Sequence, residues 1–183
     1  GSLGAQGMNE RVPAATARLP AVGRPQVAHQ AGAKHIDALA RAYRDAGVEA
    51  ECVAFIDDMA SRYAWADFAI ARGGALTVSE LAAVGLGALI VPLPGAIADE
   101  QTANADFLVR AGGAIRIAQD ELGAERLASL LSSLDRPKAL AMATAARIHD
   151  LVFAGDPISR LGDEALAPGF QRAAEFRLAT AAA

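Results

Sequence analysis

Two periods of hydrophobicity take turns along this chain. Short apolar runs end at glycine or at polar residues, and stretches with apolar residues at helical spacing follow them. The run RPQVAH, 24–29, predicts a strand. In 33–46, Ile36, Leu39, Ala40 and Tyr43 recur on one helical face and Gly47 follows as a C-cap, which predicts a helix. AECVAF, 50–55, is the next predicted strand, and Asp57 or Asp58 caps a short helix over 58–64. DFAIA, 67–71, predicts a strand running into Gly73 and Gly74, and TVSELAAV, 77–84, a helix stopped by Gly85. ALIVPL, 88–93, is almost wholly apolar, as expected of a strand covered on both faces. A helix over 99–112 with Asp99 as N-cap, a strand over 114–118 and a helical stretch over 121–151, broken near Pro137, complete the alternation.

Strand and helix in strict turn predict an α/β fold, a doubly wound parallel sheet of the Rossmann-like kind. In such sheets ligands bind beyond the carboxyl ends of the strands, where strand order reverses. The residues to watch therefore follow each strand: His29-Gln30, Phe55 to Asp57, Arg72 to Thr77, and Leu93 to Gln101. The opening GSLGAQG, 1–7, reads as another such turn without a strand before it, so the first strand is expected to be missing. The expected organisation is a domain over 1–155 followed by a partly helical tail over 156–183.

Composition sharpens this picture. Hydrophobic residues make up 53% of the 183 and charged residues 21%, enough to build a core and too apolar for a disordered chain. A net charge of -4 argues against a nucleic-acid surface, which is ordinarily basic. The lone Cys52 excludes an internal disulfide and reads as a core thiol. No apolar run reaches the roughly 20 residues that span a bilayer.

The stretch RGGALTVSE, 72–80, holds the densest candidate chemistry. A strand, a glycine turn and a helix start together form an anion site, because the first helical N–H groups lack partners and the dipole adds positive charge. It is neither a P-loop nor a dinucleotide fingerprint. Thr77-Val78-Ser79-Glu80 also matches a capping box, which would fold Glu80 back onto the Thr77 N–H. Alternatively Glu80 turns outward and accepts from a vicinal diol, and spacing alone favours the cap. Gln101 and Asn104 lie one turn apart at a helix start, where carboxamides can read sugar hydroxyls or simply decorate a polar end. Asp57-Asp58 has no third ligand at a metal spacing, so no metal is expected. His29 reads as structural and His149 as a surface residue.

Taken in order, GSLGA (1–5), HQAG (29–32), FIDDM (55–59), YAWAD, RGGALTVSELAAVGLGALIVPLP and EQTANA resemble the carboxyl-terminal half of the MurG family. These are the bacterial UDP-N-acetylglucosamine transferases that make lipid II from lipid I. The resemblance runs from residue 1 to about 117. It implies one half of a GT-B glycosyltransferase, with an amino-terminal domain missing, and a UDP-N-acetylglucosamine donor. It further implies that the Ile56 backbone receives uracil and that Glu80 holds the ribose hydroxyls. Ser2 and the helix start at Ala75, Leu76 and Thr77 would face the diphosphate, and Val78 and Ser79 would belong to the same UDP-N-acetylglucosamine site. Arg72 would stand near the phosphates, and Gln101 would meet the sugar, with Glu100 and Asn104 as lesser candidates.

The family often carries His-Gln where this chain has Glu100-Gln101, and Gly74 stands where serine or alanine is common. Catalytic residues and the lipid I site are expected in the missing half, so the fragment alone is expected to be inactive. Family chemistry is inverting and needs no metal or other cofactor. The implied location is cytoplasmic, peripheral on the inner face of the plasma membrane. The alternatives are another GT-B UDP-sugar transferase, or a non-catalytic nucleotide-sugar-binding subunit that needs a partner chain.

Overall fold

A computed structural model of the chain describes residues 2–95, 99–153 and 176–181, with the side chains of 2–5 and 148–153 outside the description. The elements run α1 (Ser2–Ala17), β1 (Gln26–Gln30), α2 (Ile36–Asp45), β2 (Ala50–Val53), α3 (Met59–Trp65), β3 (Phe68–Ala71) and α4 (Ala75–Val84). Then come β4 (Ala88–Ile90), α5 (Glu100–Ala111), β5 (Ala114–Arg116), α6 (Ala124–Ser133), α7 (Arg136–Phe153) and β6 (Arg177–Ala181).

Among the described residues six strands form one sheet in the order β2-β1-β6-β3-β4-β5, and every pairing is parallel. Helices cover both faces, as the apolar runs require. On one face, α1 packs on α2 and α6 over Val27, Phe68, Ile70, Leu89 and Leu178. On the other, α4 packs on α5 and α7 over Ala69, Ala71, Ala88, Ile90 and Ala179. From β1 the chain winds outward to β2, and from β3 it winds the opposite way through β4 to β5. Strand order thus reverses around the middle of the sheet, and the crevice of a doubly wound fold opens at the carboxyl ends there.

Three elements differ from the sequence expectation. Helix α1 already begins at Ser2, where a turn over 1–7 was expected. Helix α4 begins at Ala75, two residues early, with Gly74 as its N-cap. The extended Gly74 (φ -63, ψ 143) starts the helix directly from the glycine turn, so Thr77 lies inside the first turn and the capping box does not form. Third, residues 177–181 were assigned to a partly helical tail, yet they form a strand at the centre of the sheet, between β1 and β3. Leu178 and Thr180 lie in register with Val27 and His29, and all four are buried.

The buried Asp67 fixes that central strand at its start. Its Oδ2 accepts from the Arg177 N–H at 2.9 Å, its own N–H donates to the Arg177 carbonyl at 2.9 Å, and Arg136 at the start of α7 reaches Oδ1 at 3.3 Å.

Candidate functional site

Loops after β2, β3, β4 and β5 meet at the carboxyl edge. Those after β3 and β4 carry most of the expected site. The glycine turn delivers the chain into α4, whose N-cap has no side chain to offer. The Val78 N–H bonds back to the Gly74 carbonyl at 3.0 Å, but among the described residues the N–H groups of Ala75, Leu76 and Thr77 find no acceptor. Ala75 and Leu76 are exposed at this end, Leu76 to 67%, whereas Thr77 and Val78 turn inward. An outward-facing first turn with unpaired donors and a bare glycine cap is a ready anion seat.

One turn further along α4, Glu80 accepts a hydrogen bond from the Tyr63 hydroxyl at its Oε2, 3.2 Å away. Tyr63 is buried, and burial followed by the neighbouring carboxylate raises its pKa, so the phenol stays protonated and donates. Among the described residues no hydrogen bond joins Glu80 to the Thr77 N–H. Its other oxygen, Oε1, likewise has no partner among them. Ser79, between them, is exposed.

Tyr63 lies on α3, and α3 opens from the loop that holds Ile56. Asp58 is the cap, accepting from the Ser61 N–H at 2.9 Å and the Ser61 hydroxyl at 2.6 Å. Those bonds hold the Asp58 carboxyl below its ordinary pKa. Ile56 is buried and Phe55 is 68% exposed beside it. Both line an open groove of about 460 Å³ that extends along α3 to Arg62 and Trp65. Glu80 and the Ile56 loop are thus joined through one short helix.

Arg72 and Gln101 lace the remaining loops together. The Arg72 guanidinium is 1% exposed and donates to the carbonyls of Val91 (3.0 Å) and Pro92 (3.4 Å) and to Gln119 Oε1 (2.7 Å). Burial lowers its pKa to about 10, with Arg11 adding like-charge repulsion, which leaves it charged at neutral pH. Its side chain therefore supports the loops from below. Gln101 Oε1 accepts from the N–H groups of Leu93 (2.8 Å) and Gly73 (3.2 Å), and Asn104 Nδ2 donates to the Gly73 carbonyl (3.0 Å). Glu100 is exposed at the start of α5, whose N-cap Asp99 makes no side-chain cap bond. Ser2 is the first residue of α1, with its side chain outside the described part, as is that of His149.

His29 is fully buried, bonded through Nδ1 to the Tyr43 hydroxyl at 2.9 Å, and so belongs to the core rather than the cleft. Two supporting residues escape a reading of the sequence. Gln119 follows β5, so the rule of searching strand ends would have found it. Tyr63 gives no such signal, because its partner stands 17 residues on.

The family profile for the glycosyltransferase family 28 C-terminal domain matches residues 1–154. The chain belongs to this family. Relatives of this family 28 domain include the UDP-N-acetylglucosamine--N-acetylmuramyl-(pentapeptide) pyrophosphoryl-undecaprenol N-acetylglucosamine transferase of Azoarcus sp. strain BH72. It is 55% identical over 164 residues, covering 90% of this chain and 46% of the relative. The protein of the same name from Azotobacter vinelandii is 56% identical over 134 residues, 73% of this chain and 38% of its own length. Among solved structures, the crystal structure of Acinetobacter baumannii MurG superposes with a TM-score of 0.75 at 42% identity, over 81% of this chain and 43% of that one. The chain spans less than half the length of these relatives. Family 28 membership and the Rossmann-like sheet agree with the resemblance read from the motifs.

Proposed function

We propose that the chain is the donor-binding half of an inverting glycosyltransferase. The whole protein would move N-acetylglucosamine from UDP-N-acetylglucosamine to the C4 hydroxyl of lipid I, forming lipid II for peptidoglycan. One observation carries this reading: the unpaired N–H groups of Ala75, Leu76 and Thr77 stand one turn from a half-buried Glu80 that a buried tyrosine holds. The names of relatives at 52–56% identity supply the substrate class.

In this reading the diphosphate sits on the α4 N-terminus. Negative charge grows on the departing UDP as the glycosidic bond breaks, and fixed N–H dipoles stabilise it most at that moment. That is the task a metal ion has in other transferases, and here we assign it to the helix. Glu80, an acceptor-only carboxylate, takes the two ribose hydroxyls. The uracil meets the Ile56 backbone beside Phe55, and Gln101 meets the sugar, with Glu100 at the rim. Ser2 approaches the diphosphate from α1. The acceptor site and the general base belong to the other half of the protein, so the chain alone binds donor without transferring it. Among the described residues no helix is long and apolar enough to cross a membrane. Contact with the inner membrane face falls to the other half as well.

Trp65 is the chain's one tryptophan and lines the groove beside the Ile56 loop. Its fluorescence is expected to change saturably on titration with UDP and with UDP-N-acetylglucosamine, and to ignore GDP-mannose. Equal responses to both nucleotide bases would count against the reading.

A further inference from the structure

Gly73 is held on both sides by α5. Its N–H donates to Gln101 Oε1 at 3.2 Å and its carbonyl accepts from Asn104 Nδ2 at 3.0 Å. The same Gln101 oxygen accepts from the Leu93 N–H at 2.8 Å. The approach is so close that a Cβ on Gly73 would stand 2.3 Å from the Gln101 backbone oxygen. Two backbone donors converge on one Gln101 atom, so that atom is the oxygen and the NH₂ group points elsewhere. By the same logic the Asn104 atom facing a carbonyl is its nitrogen. Gly73 is followed directly by Gly74, the N-cap of α4, so whatever fixes Gly73 also fixes where the first α4 N–H groups point.

We infer that Gln101 and Asn104 form a clamp on Gly73 that aims the α4 N-terminus at the donor diphosphate. This rests on the donor-binding reading above. Asn104 is then a positioning residue that acts through Gly73 and touches no part of the sugar. Gln101 has a double office: its oxygen is committed to the two loops, so it can meet a sugar hydroxyl only as a donor.

The clamp predicts a distinct signature for each variant of the 183-residue chain. Asn104→Ala should weaken UDP and UDP-N-acetylglucosamine by the same factor, about tenfold, as expected for one lost positioning bond. Gln101→Glu keeps an oxygen for both N–H groups but loses the NH₂ donor. It should weaken UDP-N-acetylglucosamine more than UDP. Added negative charge would penalise the more highly charged UDP instead, so charge alone moves the ratio the other way. Amide hydrogen exchange of the unliganded chain provides a test that needs no nucleotide. Gly73 and Leu93 N–H should be protected in the parent chain, and Gln101→Ala should expose both, while core strand amides stay protected.

An Asn104→Ala loss confined to UDP-N-acetylglucosamine would make Asn104 a sugar contact and overturn the clamp. So would unchanged affinity for both ligands, or Gly73 and Leu93 exchange that Gln101→Ala leaves untouched. If the parent chain bound neither nucleotide, the donor reading would fail, and with it the clamp's purpose. The exchange data would still show separately whether the two Gln101 bonds exist.

Discussion

The Tyr63 hydroxyl reaches across from α3 and donates to Glu80 Oε2 of α4 at 3.2 Å, whereas a capping box would have that carboxylate accept from the Thr77 N–H. Two consequences separate a ligand from a cap. Glu80→Ala leaves the buried Tyr63 hydroxyl without its acceptor, which costs about 1–3 kcal/mol of stability. Tyr63→Phe with Glu80→Ala removes both partners and should recover much of that loss in thermal unfolding. Nucleotide affinity should stay low in both variants. Recovery of UDP binding in the double variant would show that Glu80 acts only on stability.

Gly73 and Gly74 are adjacent but unequal. A Cβ at Gly73 would collide with backbone at 2.3 Å, whereas one at Gly74 would meet nothing nearer than Thr77 Oγ1 at 3.8 Å. Gly73→Ala is therefore expected to destabilise by about 1–3 kcal/mol or more as the loops are forced apart. Gly74→Ala should stay within about 0.5 kcal/mol. Chemical denaturation of the two variants side by side checks this, and equal midpoints would contradict it.

Arg72 donates to two adjacent backbone carbonyls and to the Gln119 side chain from a site that is 1% exposed. Arg72→Ala strands the carbonyls of Val91 and Pro92 and opens a cavity, for an expected loss of about 3 kcal/mol. Arg72→Lys supplies one point of charge in place of a planar fork and should recover only part of it. A variant that unfolded like the parent but lost UDP affinity would place the guanidinium on the phosphate instead.

His29 makes stability depend on pH. Burial lowers its pKa from the ordinary 6.5 to about 3. The unfolded chain takes up this proton below about pH 6.5 and the folded chain does not. The unfolded state then binds more protons, so the group's contribution is fully present above pH 6.5. It is lost as pH falls toward 3, at up to about 1.4 kcal/mol per pH unit. His29→Gln should flatten unfolding free energy between pH 6.5 and 5 relative to the parent, and parallel curves would contradict it.

Much of this was legible in the chain. Apolar runs and glycine stops located five strands to within a few residues, because buried parallel strands are almost uniformly apolar and helices keep their 3.6 period. The central strand was hidden for a physical reason. RLATA is short and alanine-rich, its propensity is poor, and its place comes from pairing with residues about 110–150 positions earlier. The capping pattern at Thr77 misled because a local motif says nothing about where the glycine turn releases the helix. The same locality hid Tyr63 behind Glu80, since that pair closes only when α3 packs on α4, whereas Gln119 follows a strand and was open to a search of strand ends.

Among the described residues strand β6 alone bridges β1 and β3 in the sheet order, and Asp67 ties its first residue. Removing 177–183 should therefore unfold the chain rather than trim it, read as loss of the cooperative transition in circular dichroism. A truncated chain with the parent's melting curve would show that the strand is dispensable.

A uridine diphosphate sugar is expected to sit on the α4 N-terminus with its ribose against Glu80. Calorimetric titration of the folded chain with UDP-N-acetylglucosamine, with Glu80→Gln beside it, tests this most directly. Glu80→Gln keeps an acceptor for Tyr63 and removes the charge expected to hold the diol. Saturable heat in the parent and at least about tenfold weaker binding in the variant are expected, as for a lost bond to a charged group. A folded parent that gives no heat at millimolar ligand, or a variant that binds as tightly as the parent, would contradict the account.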